Sequence, residues 1–112
     1  MKMIVCMTRP EMLEPLRAAL VAAGVTGMTV SDVRGFGAQG GRTEVFRGQE
    51  YTVEFMHKIK LEIVIPAELT DQVVKIITET ARTGEVGDGK LFILNVEETV
   101  RIRTGEVGRT CC

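Results

Sequence analysis

The chain has 112 residues, 45% of them hydrophobic and 26% charged, and a formal net charge of −1. That is enough for one compact domain with its own core and an ordinary composition for a globular one. The near-neutral balance argues against a nucleic-acid binder held by phosphate contacts, and no apolar run approaches the roughly eighteen residues of a membrane helix. Three cysteines, two of them adjacent as Cys111-Cys112, do not form a disulfide framework. The opening Met1-Lys-Met-Ile-Val reads as a strand rather than a secretory leader, so the expected location is cytoplasmic, without membrane insertion. Six methionines beside few aromatics suggest an adaptable core or a buried interface.

Taken in chain order, Met1 to Thr8 is a continuous apolar strand, as expected where both faces are covered. Thr8-Arg-Pro-Glu11 has a capping-box pattern with proline inside the first turn. Met12, Leu13, Leu16, Ala19, Leu20 and Ala23 then recur at helical spacing until Gly24 stops the helix. Gly27 to Gly35 gives a second strand through Met28, Val30 and Val33. Lys58 to Ile65 alternates cleanly: Ile59, Leu61, Ile63 and Ile65 face one way, Lys58, Lys60 and Glu62 the other. Pro66 opens a second helix with Leu69, Val73, Ile76, Ile77 and Thr80 on one face, and Gly84 ends it. Leu91 to Val96 is a fourth strand and Val100 to Arg103 a short fifth.

Strand-helix-strand, long loop, strand-helix-strand is the order of a ferredoxin-like double βαβ, an α+β fold with helices on one face of an antiparallel sheet. The other face mixes Lys60 and Glu62 with apolar residues. Two readings fit it: solvation, or burial in a symmetric oligomer with ion pairs between subunits.

Between the second and third strands about twenty residues intervene, from Gly37 to His57, where a hairpin needs only about two to five. They carry Arg42, Glu44, Arg47, Glu50 and Glu54 beside Phe46, Phe55 and Tyr51, the one tyrosine of the chain. Such a segment is an interaction arm or a lid. Its root, Gly35-Phe-Gly-Ala-Gln-Gly-Gly41, is either flexible or approaches a ligand with its backbone. Gly84-Glu-Val-Gly-Asp-Gly-Lys90 is a glycine-rich turn ending in a cation; its glycines let backbone N–H groups approach phosphate oxygens. It is not a Walker loop, because it leads into a strand and its spacing differs. As a strand, Arg101-Ile-Arg103 points two guanidiniums the same way, which fits a phosphate or a solvated edge. His57 reads as a structural loop residue, no Cys/His cluster has metal spacing, and no nucleophile–base motif is present. Nothing in these motifs argues for an enzyme.

Gly27-Met-Thr-Val30, Gly35-Phe-Gly37, Thr43-Glu44, Arg47-Gly48, Glu50-Tyr51, Thr83 to Lys90 and Arg101-Ile-Arg-Thr-Gly-Glu106 together resemble the PII family of nitrogen signal-transduction proteins, over Met1 to about Glu106. The resemblance implies a homotrimer of ferredoxin-like subunits with ATP or ADP in each intersubunit cleft. It places Gly87, Asp88, Gly89, Lys90, Arg101 and Arg103 at the nucleotide phosphates. Thr29, Glu62 and Val64 fall on the base and ribose side, and Gly37, Ala38 and Gln39 at the loop root. Gln39 matches a residue that helps ligate Mg²⁺; Gln39, Gly41 and Lys58 match the 2-oxoglutarate site. Residues 37–57 match the T-loop, which docks onto an ammonium channel, an enzyme or a regulator, and residues 107–112 are a tail. Tyr51 matches a site of uridylylation, which implies a uridylyltransferase as a partner.

This chain departs from the family pattern at several positions. Ala38 stands where arginine is usual, Gly40 where lysine is usual, and Phe46 where tyrosine is usual. Losing the cation at 38 shifts the expected preference away from ATP. Gln49 replaces a small residue that some relatives phosphorylate, and Cys111-Cys112 lacks a counterpart in the ordinary tail. Two rival expectations share the fold: a PII-like sensor of another anion such as bicarbonate with ADP or AMP, and a CutA-like trimeric metal-handling protein.

Overall fold

A computed structural model describes residues 1–36 and 55–108. Gly37, Ala38, Gln39, Gly41, Tyr51, Cys111 and Cys112, each singled out above, lie outside the described residues.

The described elements are β1 (Lys2–Thr8), α1 (Leu13–Ala22), β2 (Thr29–Gly35), β3 (Met56–Ile65), α2 (Thr70–Ala81) and β4 (Lys90–Asn95). A 3₁₀ turn precedes each helix, over Pro10–Met12 and Ala67–Leu69. The sheet runs β2-β3-β1-β4 and every neighbouring pair is antiparallel. This is the ferredoxin-like arrangement expected from the order of elements.

The period-two pattern of β1 and β3 decides which face is core. Ile4 pairs with Ile63, Cys6 with Leu61 and Thr8 with Ile59, so these residues share the helix-covered face. All six are buried, together with Leu16 and Leu20 of α1 and Val73 and Ile77 of α2. Truncating one of these leucines or isoleucines to alanine costs about 2–5 kcal/mol. The methionines are not the core: none of them is among its buried residues, and Met12 and Met28 pack only against its rim. Met3 and Met7 alternate to the opposite face of β1.

Helix α1 ends as its glycine demands. Gly24 has φ +97°, its N–H reaches the Val21 carbonyl, and the Val25 N–H reaches back to Leu20 at 3.0 Å. This paired closure satisfies two otherwise unpaired helix carbonyls. The other end differs from the capping box. Arg9 is the N-cap of the preceding 3₁₀ turn and Met12 that of α1, and neither makes a side-chain cap bond. The Thr8 hydroxyl, inward-facing on β1, donates instead to the Asp88 carbonyl at 2.8 Å. Strand alternation wins over local capping, because a buried hydroxyl without a partner is costly. Helix α2 stops at Ala81, earlier than Gly84, with Arg82 already extended.

Two further boundaries differ from expectation. Met56 and His57, expected in the long loop, belong to β3 and pair with Gly35 and Arg34. Beyond them the Phe36 and Phe55 rings meet edge to face, centroids 5.2 Å apart. The fifth strand is absent: Val100 and Val107 form an isolated bridge around a turn, closed by Arg101 N–H to the Glu106 carbonyl at 2.8 Å. Ile102 at its tip is 99% exposed. Arg101 and Arg103 therefore flank the tip of a turn rather than sharing a strand face.

Candidate functional site

A cleft of about 510 Å³ opens at the Thr8 end of β1, between the open sheet face and the turn that precedes β4. Its walls come from β1 (Met7), the end of β2 (Val33 to Phe36), β3 (Lys58, Lys60) and the turn (Val86, Gly87, Gly89, Lys90). Register explains the concentration of charge. Lys60 and Lys90 both pair with Met7, from opposite sides, on the open face. Neighbouring strands lie about 4.8 Å apart, which sets the two lysine backbones about 10 Å from one another. With Lys58 and Arg34 also on the walls, the cleft is built for an anion.

The turn is held by its own aspartate. The Asp88 carboxylate accepts hydrogen bonds from the Thr83 hydroxyl and from the N–H groups of Thr83 and Gly84. Arg9 adds an ion pair at 3.4 Å. The Thr83 hydroxyl is the main cause of a carboxyl pKa lowered to about 2; the two N–H groups and Arg9 add to it, against a burial effect that raises it. Asp88 is thus ionised at neutral pH, with its charge turned into the turn rather than toward the cleft.

Three consecutive carbonyls of the turn are also taken. Val86 accepts from Arg9 Nη2 at 2.9 Å, Gly87 from Lys58 Nζ at 2.8 Å, and Asp88 from the Thr8 hydroxyl. The Lys58 pKa is lowered, first by burial and then by nearby Arg9, with Glu11 and Asp88 opposing. Gly89 has φ +96°, and a Cβ there would sit 1.9 Å from the Met7 carbonyl oxygen, so only glycine fits.

Of the residues singled out in the sequence, the fold brings together Lys58, Gly87, Asp88, Gly89 and Lys90. Thr29, Glu62 and Val64 form a second group on the open face: Thr29 pairs with Glu62, and Val64 lies one step nearer the far end. Arg101 and Arg103 are elsewhere. The chain leaves β4 beside Met1, where the Val96 N–H meets the Met1 carbonyl and the Thr99 hydroxyl the Met1 sulfur. Met1 and Thr8 are about 20 Å apart along β1 at strand rise. Arg101 is engaged with Glu106 at 3.6 Å. Sequence reasoning missed Thr8 and Arg9 as partners of the turn. The available signal was a hydroxyl at an inward position of an otherwise apolar strand.

A family model described as Nitrogen regulatory protein P-II matches residues 1–106. Over 106 residues, 95% of each chain, the sequence is 58% identical to the Nitrogen regulatory protein P-II of Microchaete diplosiphon and 53% to that of Haemophilus influenzae. It is 50% identical over the same span to Nitrogen regulatory protein P-II 1 of Escherichia coli K12. A crystal structure of Arabidopsis thaliana PII bound to citrate is similar at TM-score 0.81 and 38% identity, covering 98% of this chain and 90% of that one. The fold, the glycine-rich turn and these likenesses agree: the chain belongs to the P-II nitrogen regulatory protein family, and is a signalling regulator, not an enzyme.

Proposed function

We propose that the protein is a cytoplasmic homotrimeric sensor that binds ATP or ADP in clefts between subunits. With Mg²⁺ and 2-oxoglutarate it reports nitrogen status to partners through residues 37–57. The separation of the two basic groups carries this reading. Lys58 and Lys90 stand at one end of β1, and the Arg101–Arg103 turn departs from the other. One copy cannot close both on one phosphate chain; a neighbouring copy can supply the second half. The open sheet face supports assembly, since Phe92 and Leu94 are nearly half exposed beside Met3, Val5 and Val64. The fully exposed Ile102 adds an apolar contact for a neighbour to cover.

Nucleotide phosphates would meet Lys90 and the turn's N–H groups. Thr29, Glu62, Val64 and Arg103, with Arg101 exchanging from Glu106, would come from the adjoining copy. Lys58, already at the cleft wall, would pair a carboxylate of 2-oxoglutarate. The citrate-bound Arabidopsis relative supports a carboxylate ligand in this fold. Gln39 would complete the Mg²⁺ shell with nucleotide and 2-oxoglutarate oxygens, which makes the two ligands interdependent. Partners would select among loop conformations that these ligands favour. An ammonium channel, a regulated enzyme and a uridylyltransferase acting on Tyr51 are the partner classes to test.

Light scattering should give a trimer, and calorimetry should show 2-oxoglutarate binding only with Mg-ATP. Arg103→Ala should weaken ATP and ADP ten- to a hundredfold, the equivalent of about 1.5–3 kcal/mol for a charge-assisted bond. A stable monomer, or unchanged affinity in Arg103→Ala, defeats the intersubunit cleft. Bicarbonate binding in place of 2-oxoglutarate would move the reading to a sensor of that anion.

A further inference from the structure

Every described peptide bond is trans. In a trans peptide the carbonyl of one residue and the N–H of the next point in opposite directions. Whatever holds a carbonyl therefore aims the following amide. Arg9 holds the Val86 carbonyl and so sets the Gly87 N–H; Thr8 holds the Asp88 carbonyl and so sets the Gly89 N–H. Gly87 and Gly89 line the cationic cleft, while Asp88 between them lines only a smaller hollow against α2, which Gly89 also borders. The positive φ angles of Gly87 (+108°) and Gly89 (+96°) make this alternation possible.

We infer that Thr8 and Arg9 are positioning residues, which aim the Gly87 and Gly89 amides into the cleft to receive a phosphate group. The inference rests on the nucleotide reading above. Both anchors are rigid. Thr8 is 1% exposed and fixed by strand β1, and Arg9 grips the turn twice, at the Val86 carbonyl and the Asp88 carboxylate. The cradle is then ordered during folding rather than at binding, and donors already oriented interact more strongly with an incoming anion.

Thr8→Val removes the hydroxyl at equal volume, and Arg9→Ala removes a side chain outside the buried core. Each variant should weaken ATP and ADP about five- to tenfold, as expected for one misdirected donor, and leave adenosine affinity unchanged. Amide NMR with inorganic tripolyphosphate gives a residue-specific readout. Thr8→Val should diminish the ligand-induced shift at Gly89, and Arg9→Ala that at Gly87. Arg9→Lys, which keeps one donor for the Val86 carbonyl, should recover part of the affinity. Equal weakening of adenosine and ATP would reduce both residues to general supports and overturn the inference. Unchanged ATP affinity in both variants, with wild type binding normally, overturns it alone. No ATP or ADP binding by the wild-type protein overturns it together with the nucleotide reading.

Discussion

Gly89→Ala tests how tightly the turn is seated on β1. Two costs are separable. A side chain at φ +96° is in left-handed backbone, worth about 1–2 kcal/mol. The added Cβ also meets the Met7 carbonyl oxygen at 1.9 Å, and both atoms at the contact belong to short, stiff backbone. Ordinary contact requires the turn to withdraw by about 1.5 Å. That movement breaks the 2.8 Å bonds from Thr8 to Asp88 and from Lys58 to Gly87, each worth about 0.5–1.5 kcal/mol. The expected total is about 2–5 kcal/mol. Gly84→Ala is the control: φ is +89°, yet a Cβ meets nothing within 4 Å, so only the backbone cost of about 1–2 kcal/mol applies. Urea unfolding of both variants at one fixed protein concentration measures the difference. Equal destabilisation, within about 0.5 kcal/mol, would refute the close seating of the turn.

Two further outcomes follow from ionisation. Asp88 has its carboxyl pKa lowered from 3.8 to about 2, so its contribution to stability is complete above about pH 4 and lost as pH falls toward 2. Carbon NMR should find Asp88 titrating well below ordinary aspartates, and Thr83→Val should move it back toward them; titration near 3.8 in the wild type would contradict the described hydrogen bonds. Burial raises the Cys6 thiol to about 11. In a C111S/C112S background, a disulfide reagent at pH 8 should therefore modify Cys6 only as fast as the protein unfolds; rapid labelling of the native protein would show the core to be open.

The sheet was legible because its strands alternate or run apolar with clear stops. Ile59, Leu61, Ile63 and Ile65 announced the core face of β3, and Gly24 announced the end of α1. The Gly87-to-Lys90 turn was legible because its glycines and its cation recur at short spacing, whereas Lys58 was singled out for the site only through the resemblance to the family. The hidden parts depend on contacts distant in sequence. Thr8 carried a local capping signal, yet its hydroxyl goes to a residue eighty positions away. Arg101-Ile-Arg103 alternates like a strand, but the tight closure between Arg101 and Glu106 leaves too few residues to extend one. The methionines suggested a core or a buried interface by composition, and strand parity sends Met3 and Met7 to the face away from the core.

The meeting of Gly35 with Met56, and of the Phe36 and Phe55 rings beyond them, has a consequence for how such a protein can diversify. Phe36 and Phe55 lie side by side, so the connection between them starts and finishes at one place on the described fold. The entropy of joining ends grows only with the logarithm of length, about 0.6 kcal/mol for each doubling. The length of that connection can therefore change at little cost to the closure of the sheet. The length of the connection and the architecture of the sheet are thus separate variables within one short chain.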